Sequence, residues 1–382
     1  MGQTAAVTAL SWIAAGSLAA WWWLLLCQGF FWRTDVRLPR RRDPDVWPSV
    51  CVVVPARDEA AVLPDSLPSL LAQDYPGRAE VFLVDDGSAD GTGELARELA
   101  RRQGGLPLTV DSPGEPPAGW TGKLWAVRHG IALARAREPE YLLLTDADIA
   151  HAPDSLRHLV AAARTGGFDV VSQMARLRVA SRWERLVVPA FVYFFAHLYP
   201  FRRIGKKGAR TAAAAGGCVL LRAEAAERAR VPDAIRHAVI DDVALARAVK
   251  GGGGHIWLGL ADRVDSVRPY PRLNDLWRMV SRSAYAQLRH NPLLLAGTVA
   301  GLITKDAAAA VAGGLAWLVM AGTYVPMLRY YRQPLWLAPL LPFTAFLYLL
   351  MTVDSAVQHY RGRGAAWKGR TYARPDTVAD EV

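Results

Sequence analysis

Three short apolar runs in this chain each end in acidic residues. VVVPARDE closes on Arg57, Asp58 and Glu59, FLVDDGSADGT on Asp85 and Asp86, and LLLTDAD on Asp146 and Asp148. Helical stretches alternate with them. ELARELARR follows the second run, KLWAVRHGIALARA precedes the third, and SLRHLVAAAR comes before a further run, FDVVSQM. Strand and helix in turn predict an α/β domain over residues 48–290, with a mostly parallel sheet between helices. Ligands of such sheets bind beyond the carboxyl ends of the strands, which is where the acidic residues fall. Carboxylates gathered at one edge repel, so they require a cation or hydrogen-bond donors to offset them.

TDAD offers a cation site. At an extended strand end, residues i and i+2 project to the same side, so Asp146 and Asp148 would present their oxygens together. Mg2+ or Mn2+ suits such a pair, because these hard cations take carboxylates together with substrate phosphates. The competing reading is helix capping, although Asp154 can cap the next helix alone. In DDGSADG, Asp90 is in the same way either part of a site or the cap of the helix that follows.

The apolar ends set a second constraint. Ala5 to Trp32 holds no charged residue, and about 20 apolar residues cross a bilayer. No basic region precedes it, so 5–32 reads as a retained transmembrane helix and not a signal peptide. RTDVRLPRRR follows, which places that end in the cytoplasm, and Trp21, Trp22, Trp23 and Trp32 fit an interfacial belt. Within 292–353, the stretches 307–328 and 334–353 are each long enough to span, while 292–304 reads as re-entrant or interfacial. Two C-terminal spans put the basic tail, 354–382, in the cytoplasm with the α/β domain and leave the 330–332 loop outside. This is a multi-pass layout for a bacterial-type inner membrane. The aromatic stretch 186–201, bounded by arginines, reads as an interfacial helix beside the site or else as a buried core helix.

Net charge is +10 over 382 residues, which favours an acidic partner. The basic residues flank apolar segments, so that partner is an anionic membrane surface and not nucleic acid. Cys27, Cys51 and Cys218 have no metal-ligand spacing and read as reduced thiols.

In order along the chain, VVVPARDE, VDDGSADGT, GKLWAVRHG, TDAD, AAAGGCVLL and IDDVALA resemble the family 2 glycosyltransferases of GT-A fold, from Val50 to Leu260. The full layout, with WTGKLWA, TDADIAHAP and RTAAAAGGC between apolar ends, resembles the hopene-associated glycosyltransferases of bacterial hopanoid loci. It is also similar to ceramide glucosyltransferases. The resemblance implies a nucleotide-diphospho-sugar transferase domain flanked by transmembrane helices. It implies a nucleotide pocket of Pro55, Arg57, Glu59, Asp85, Asp86, Lys123 and Asp146. It places Mg2+ or Mn2+ at Asp146 and Asp148, with Asp148 the direct ligand, and an acceptor-side wall at Gly216, Gly217 and Cys218. A lysine near a helix start also adds a point charge for phosphate. Asp242, with Asp241 beside it, would be the general base, unless the two merely start a helix. Processive relatives carry Gln-x-x-Arg-Trp, and of that motif MVSRS keeps only Arg282, which argues against processive synthesis. Arg278 and Arg282 lie four apart, on one helix face, and would clamp a diphosphate or touch lipid headgroups.

The expected function is inverting, metal-dependent transfer of a sugar from a nucleotide sugar, UDP-linked by family-level expectation, to a membrane lipid. A hopanoid is the family-level acceptor. Two alternatives stay open: a polyprenyl-phosphate sugar transferase, whose acceptor needs no strong base, and a catalytically inactive nucleotide-binding membrane scaffold.

Overall fold

The computed structural model describes residues 2–282, 284, 307–361, 366–367 and 370–371. The chain divides into two compact units. One comprises Asp35–Arg178, Ile204–Pro269 and Gly364–Val382, the other Met1–Thr34, Val179–Arg203 and Tyr270–Arg363. Elements are numbered along the chain.

The first unit is α/β. It opens with β1 (Val50–Ala56), α2 (Leu63–Leu71), β2 (Ala79–Asp85), α3 (Thr92–Gln103), β3 (Leu108–Asp111), α4 (Gly122–Arg135) and β4 (Tyr141–Thr145). These strands lie parallel to their neighbours, β1 between β2 and β4 and β2 beside β3. Every residue of β1 is buried, as expected of a strand covered on both faces. Helix α4 comes close enough that a Cβ on Gly130 would sit 2.5 Å from Val53 Cγ1. Only glycine fits there.

After β4 the alternation stops. β5 (Ile149–His151), α5 (Ser155–Gly166), β6 (Val170–Arg176), β7 (Cys218–Arg222), α8 (Ala223–Arg228), α9 (Asp241–Gly251) and β8 (Ile256–Ser266) complete an eight-stranded sheet of order β3-β2-β1-β4-β7-β6-β8-β5. β7 runs antiparallel to both β4 and β6, and β5 runs antiparallel to β8. The sheet is therefore mixed, and less parallel than expected. The reversal matters for the site. Because β7 is antiparallel, its amino end lies beside the carboxyl end of β4, with Cys218 opposite Thr145. Gly216 and Gly217 are thereby delivered to the acidic edge.

The second unit is helical: α1 (Gly2–Cys27), α6 (Arg182–Leu198) with the short turn α7 (Phe201–Ile204) after it, α10 (Leu273–Ser281), α11 (Ala307–Tyr330) and α12 (Leu341–Tyr360). Helix α6 is largely enclosed. Tyr193 bonds Thr323 through its hydroxyl at 2.7 Å, Tyr348 donates to the Val187 carbonyl at 3.0 Å, and Phe31 packs edge-on to Tyr193. Helix α10 buries Leu276 and Val280 and turns Arg278 and Arg282 to solvent. Among the described residues, one helical stretch, Leu335–Tyr360, is long and apolar enough to cross a membrane, and Ala15–Cys27 is a shorter apolar helix. The 292–304 segment lies outside the described residues, as does most of the tail beyond Arg361.

Glu184 ties this unit together. Ser181 and Glu184 form a capping box at the start of α6. The Glu184 carboxylate also accepts N–H groups from Ala180 at 2.8 Å, Ser181 at 2.7 Å and Tyr270 at 2.6 Å. Burial works against its charge, but these donors outweigh it and hold the carboxyl below its ordinary value. An orphaned buried donor costs about 1–3 kcal/mol, so Glu184→Ala should lower the thermal midpoint of the purified protein at neutral pH. A group with a depressed pKa contributes stability that is lost as pH falls. The gap between variant and native protein should therefore close in acid, which melting curves at several pH values would test.

Candidate active site

Two loops at the carboxyl ends of β1 and β2 are stitched together. The N–H of Asp58 donates to Ser88 Oγ, that of Glu59 to Thr92 Oγ1 and that of Ala60 to Asp90 Oδ2, each at 2.9 Å, and Ala89 N–H returns to Asp58 Oδ1. Asp90, one residue before the Gly91 that caps α3, accepts the Thr92 N–H at 3.1 Å and also joins the loops. Asp58 adopts φ 49 to do this, a conformation asparagine and aspartate tolerate better than most residues. Asp85 accepts the Ser88 N–H at 2.9 Å. Asp86 is buried, with Arg57 Nη1 3.5 Å from its carboxylate and bonded to its carbonyl.

The centre of the site is an ammonium among carboxylates. Thr121 caps α4 by accepting the Leu124 N–H, which sets Lys123 in the first turn. Lys123 Nζ lies 2.9 Å from Asp146 and 3.1 Å from Asp241. Asp242 is next to it: its Oδ2 accepts the Gly216 N–H at 2.9 Å and its Oδ1 the Val243 N–H at 2.7 Å. Pro55, Lys123, Asp146, Gly216, Asp241 and Asp242 line one pocket, whose remaining wall is mostly apolar and includes Val231, Pro232 and Ile235. An apolar wall lowers the local dielectric and strengthens each charge interaction. Burial, then the Asp241 carboxylate, push Asp242 up to about 7, against the pull of Lys123. Burial alone would pull Lys123 down, but Asp146 and Asp241 outweigh it and raise it.

The two TDAD carboxylates have different partners. β4 ends at Thr145 and the chain turns at Ala147 and Asp148, so strand alternation does not apply. Asp146 turns to Lys123. Asp148 is buried and accepts Arg268 Nε at 2.9 Å and Ser266 Oγ at 3.2 Å. The same guanidinium reaches Glu59 at 2.6 Å. Asp154 stands at the start of α5 without capping it; its carboxylate goes to Arg263. Cys218 is fully buried, and burial pushes its thiol up to about 12. Of the expected acceptor wall, Gly216 lines the pocket, while Gly217 gives its carbonyl to Thr145 Oγ1 at 2.8 Å. Arg278 and Arg282 belong to the helical unit. Sequence reasoning missed Arg268, Ser266 and the Val231–Ile235 wall. Arg268 follows a strand that the pattern did not disclose and carries no motif.

The sequence pattern of Glycosyl transferase family 2 matches residues 51–230. The chain carries a family 2 glycosyltransferase domain. An undecaprenyl-phosphate 4-deoxy-4-formamido-L-arabinose transferase of Aeromonas hydrophila is 34% identical over 146 residues, which are 36% of this chain and 39% of that protein. A 4,4'-diaponeurosporenoate glycosyltransferase of Staphylococcus haemolyticus is 33% identical over 110 residues, 29% of this chain and 27% of that one. The chain therefore spans well under two thirds of the length of these curated relatives. A mannosyltransferase from Pyrobaculum calidifontis, solved in complex with GDP-Man and Mn2+, shares the fold. The two superpose with a TM-score of 0.57 at 21% identity, over 92% of this chain and 99% of that one. The glycosyltransferase match runs from β1 to the end of α8, so Asp241, Asp242 and Arg268 lie beyond it.

The raised Asp242 gives a signed test. Between about pH 4 and pH 7 the unfolded aspartate is ionised while the folded one keeps its proton, so stability falls as pH rises through that window. Lys123→Met removes the group that lowers the Asp242 pKa. Its melting temperature should therefore go on falling above pH 7, more steeply than that of the native protein.

Proposed function

We propose that this protein is an inverting glycosyltransferase that moves a sugar from a nucleoside-diphosphate sugar to a membrane lipid. The observation that carries this is Asp242, a carboxylate raised to about 7, held by two backbone N–H groups on the wall of the pocket that also presents Lys123. Its N–H bonds fix the orientation and leave lone pairs for an acceptor hydroxyl. In the reaction, the acceptor oxygen bonds to the anomeric carbon as the bond to the diphosphate breaks on the opposite side, and the hydroxyl proton passes to Asp242. Lys123 meets the charge that develops on the departing diphosphate. Arg57, Asp85 and Asp86, at the adjoining strand ends, are proposed to shape the nucleotide pocket.

A divalent cation fits the donor chemistry. Among the described residues no group of three His, Cys, Asp or Glu side chains is placed to hold a metal ion. Mg2+ and Mn2+ need fewer, because they use one or two carboxylates together with substrate phosphates. Asp146 and Asp148 would hold the ion, and it would neutralise the diphosphate. The Mn2+ in the mannosyltransferase complex supports this.

For the acceptor, Asp242 as base favours a lipid hydroxyl, whereas the names of curated relatives favour undecaprenyl phosphate over a hopanoid; with that acceptor, already ionised, Asp242 would take no proton. Among the described residues one stretch, Leu335–Tyr360, is long and apolar enough to cross a membrane; taking the apolar stretches 5–32 and 307–328 of the sequence as further spans makes a multi-pass protein, with the glycosyltransferase domain cytoplasmic on an anionic membrane surface. An engineered Gln333→Cys should then react with an impermeant thiol reagent added from outside the cell. Labelling only after lysis would place that loop inside.

Asp242→Asn should lower turnover by roughly 10²–10⁴-fold and leave nucleotide affinity near its native value. The native rate should climb with pH and level off above about 7. Turnover with a hydroxyl acceptor and with undecaprenyl phosphate separates the two readings. A variant that stays active only on the phosphate, already ionised, identifies the polyprenyl-phosphate transferase.

A further inference from the structure

Glu59 and Asp148 come from distant parts of the chain, the loop after β1 and the turn after β4. Both are buried, at 6% and 9% exposure. Two such carboxylates side by side would carry an uncompensated charge. Arg268 resolves this with one guanidinium: Nη2 lies 2.6 Å from Glu59 and Nε 2.9 Å from Asp148. Only a planar fork reaches both partners at once, since a lysine ammonium is a single point of charge. Ser266 Oγ and the Val267 N–H also bond Asp148, the latter at its carbonyl, so the end of β8 is fastened to the TDAD turn.

The two carboxylates and their cation differ in freedom. The Arg268 side chain keeps a quarter of its surface in solvent, at 25%, whereas those of Glu59 and Asp148 keep 7% and 13%. The guanidinium can leave for water; the carboxylates cannot. Asp146 is differently placed, because its cation, Lys123, is shared with Asp241 and lines the pocket.

We propose that Arg268 is a positioning residue that holds Asp148 in the donor-free protein and gives it up to the divalent cation that arrives with the nucleotide. The inference rests on the metal-dependent reading above. Arg268 Nε and Ser266 Oγ both bond Asp148 Oδ2, and a divalent cation on the same carboxylate would repel the guanidinium, so metal binding and the Arg268–Asp148 bridge oppose each other. The diphosphate supplies the additional oxygens that make the exchange favourable. Metal alone then binds weakly, and donor and metal bind together. By linkage each raises the affinity of the other.

The test measures free Mn2+ by electron paramagnetic resonance in solutions of the purified full-length protein, with and without UDP. The native protein should take up Mn2+ poorly alone and well with UDP. Arg268→Gln removes the competitor and leaves two buried carboxylates, so it should bind Mn2+ alone at least tenfold more tightly than native. Arg268→Lys keeps a charge but cannot bridge both partners, and should show a smaller gain in the same direction. It carries the test if the glutamine variant does not fold. Adding Asp148→Asn to either should erase the gain. Native-like or weaker Mn2+ uptake without UDP in the folded variants overturns the proposal while leaving the metal site standing. Failure of the native protein to take up Mn2+ even with UDP removes the metal reading and this inference together.

Discussion

Lys123 places an ammonium 2.9 Å from Asp146 and 3.1 Å from Asp241, with Asp242 behind them. Three elements that share no local sequence, α4, the TDAD turn and the start of α9, meet on that one charge. Without it the pocket would hold three carboxylates against a mostly apolar wall, an arrangement that ionised groups do not tolerate. The ammonium therefore does two jobs at once. It makes the acidic cluster compatible with a folded state, and it pulls Asp242 down against burial and the Asp241 carboxylate. Asp146 stays paired, while Asp242, one step removed, retains its proton nearly to neutrality.

The backbone supplies the rest of the precision. Asp242 is held by N–H groups of Gly216 and Val243, and Gly216 reaches it because β7 runs antiparallel beside β4. A wholly parallel sheet would have brought a carboxyl end, and a different loop, to that place. The departure from the simple α/β pattern is thus part of how the site is assembled. It also marks where the fold ceases to be readable from alternation.

What was legible follows from that. The first strands, their acidic ends and Lys123 in the first turn of α4 are local patterns, and the sequence carries them openly. β7 enters from a run of alanines and glycines, β5 is three residues long, and β8 follows four glycines, so none has a distinctive periodicity. In TDAD the strand ends at Thr145, so alternation does not carry through to Asp148. Arg268 was invisible for a different reason: its partners are Glu59 and Asp148, and only tertiary structure brings such distant positions together. The carboxylates were legible, and the cations that answer them were legible only in part.

The order of the segments has a consequence for dissection of the molecule. The α/β unit is interrupted between Arg178 and Ile204 by a stretch that belongs to the helical unit. That stretch is α6, whose Val187 and Tyr193 find their hydrogen-bond partners on Tyr348 and Thr323, far downstream. A continuous fragment from Asp35 to Pro269 therefore carries α6 with it and strips away α11 and α12. Val187 and Tyr193, buried in the whole protein, would lose those partners and leave an adhesive stripe open to water. On the ribosome the same geometry imposes a wait. Helix α6 emerges well before the helices that cover it, and the nascent chain must shelter that stripe, against lipid or a chaperone, until they arrive.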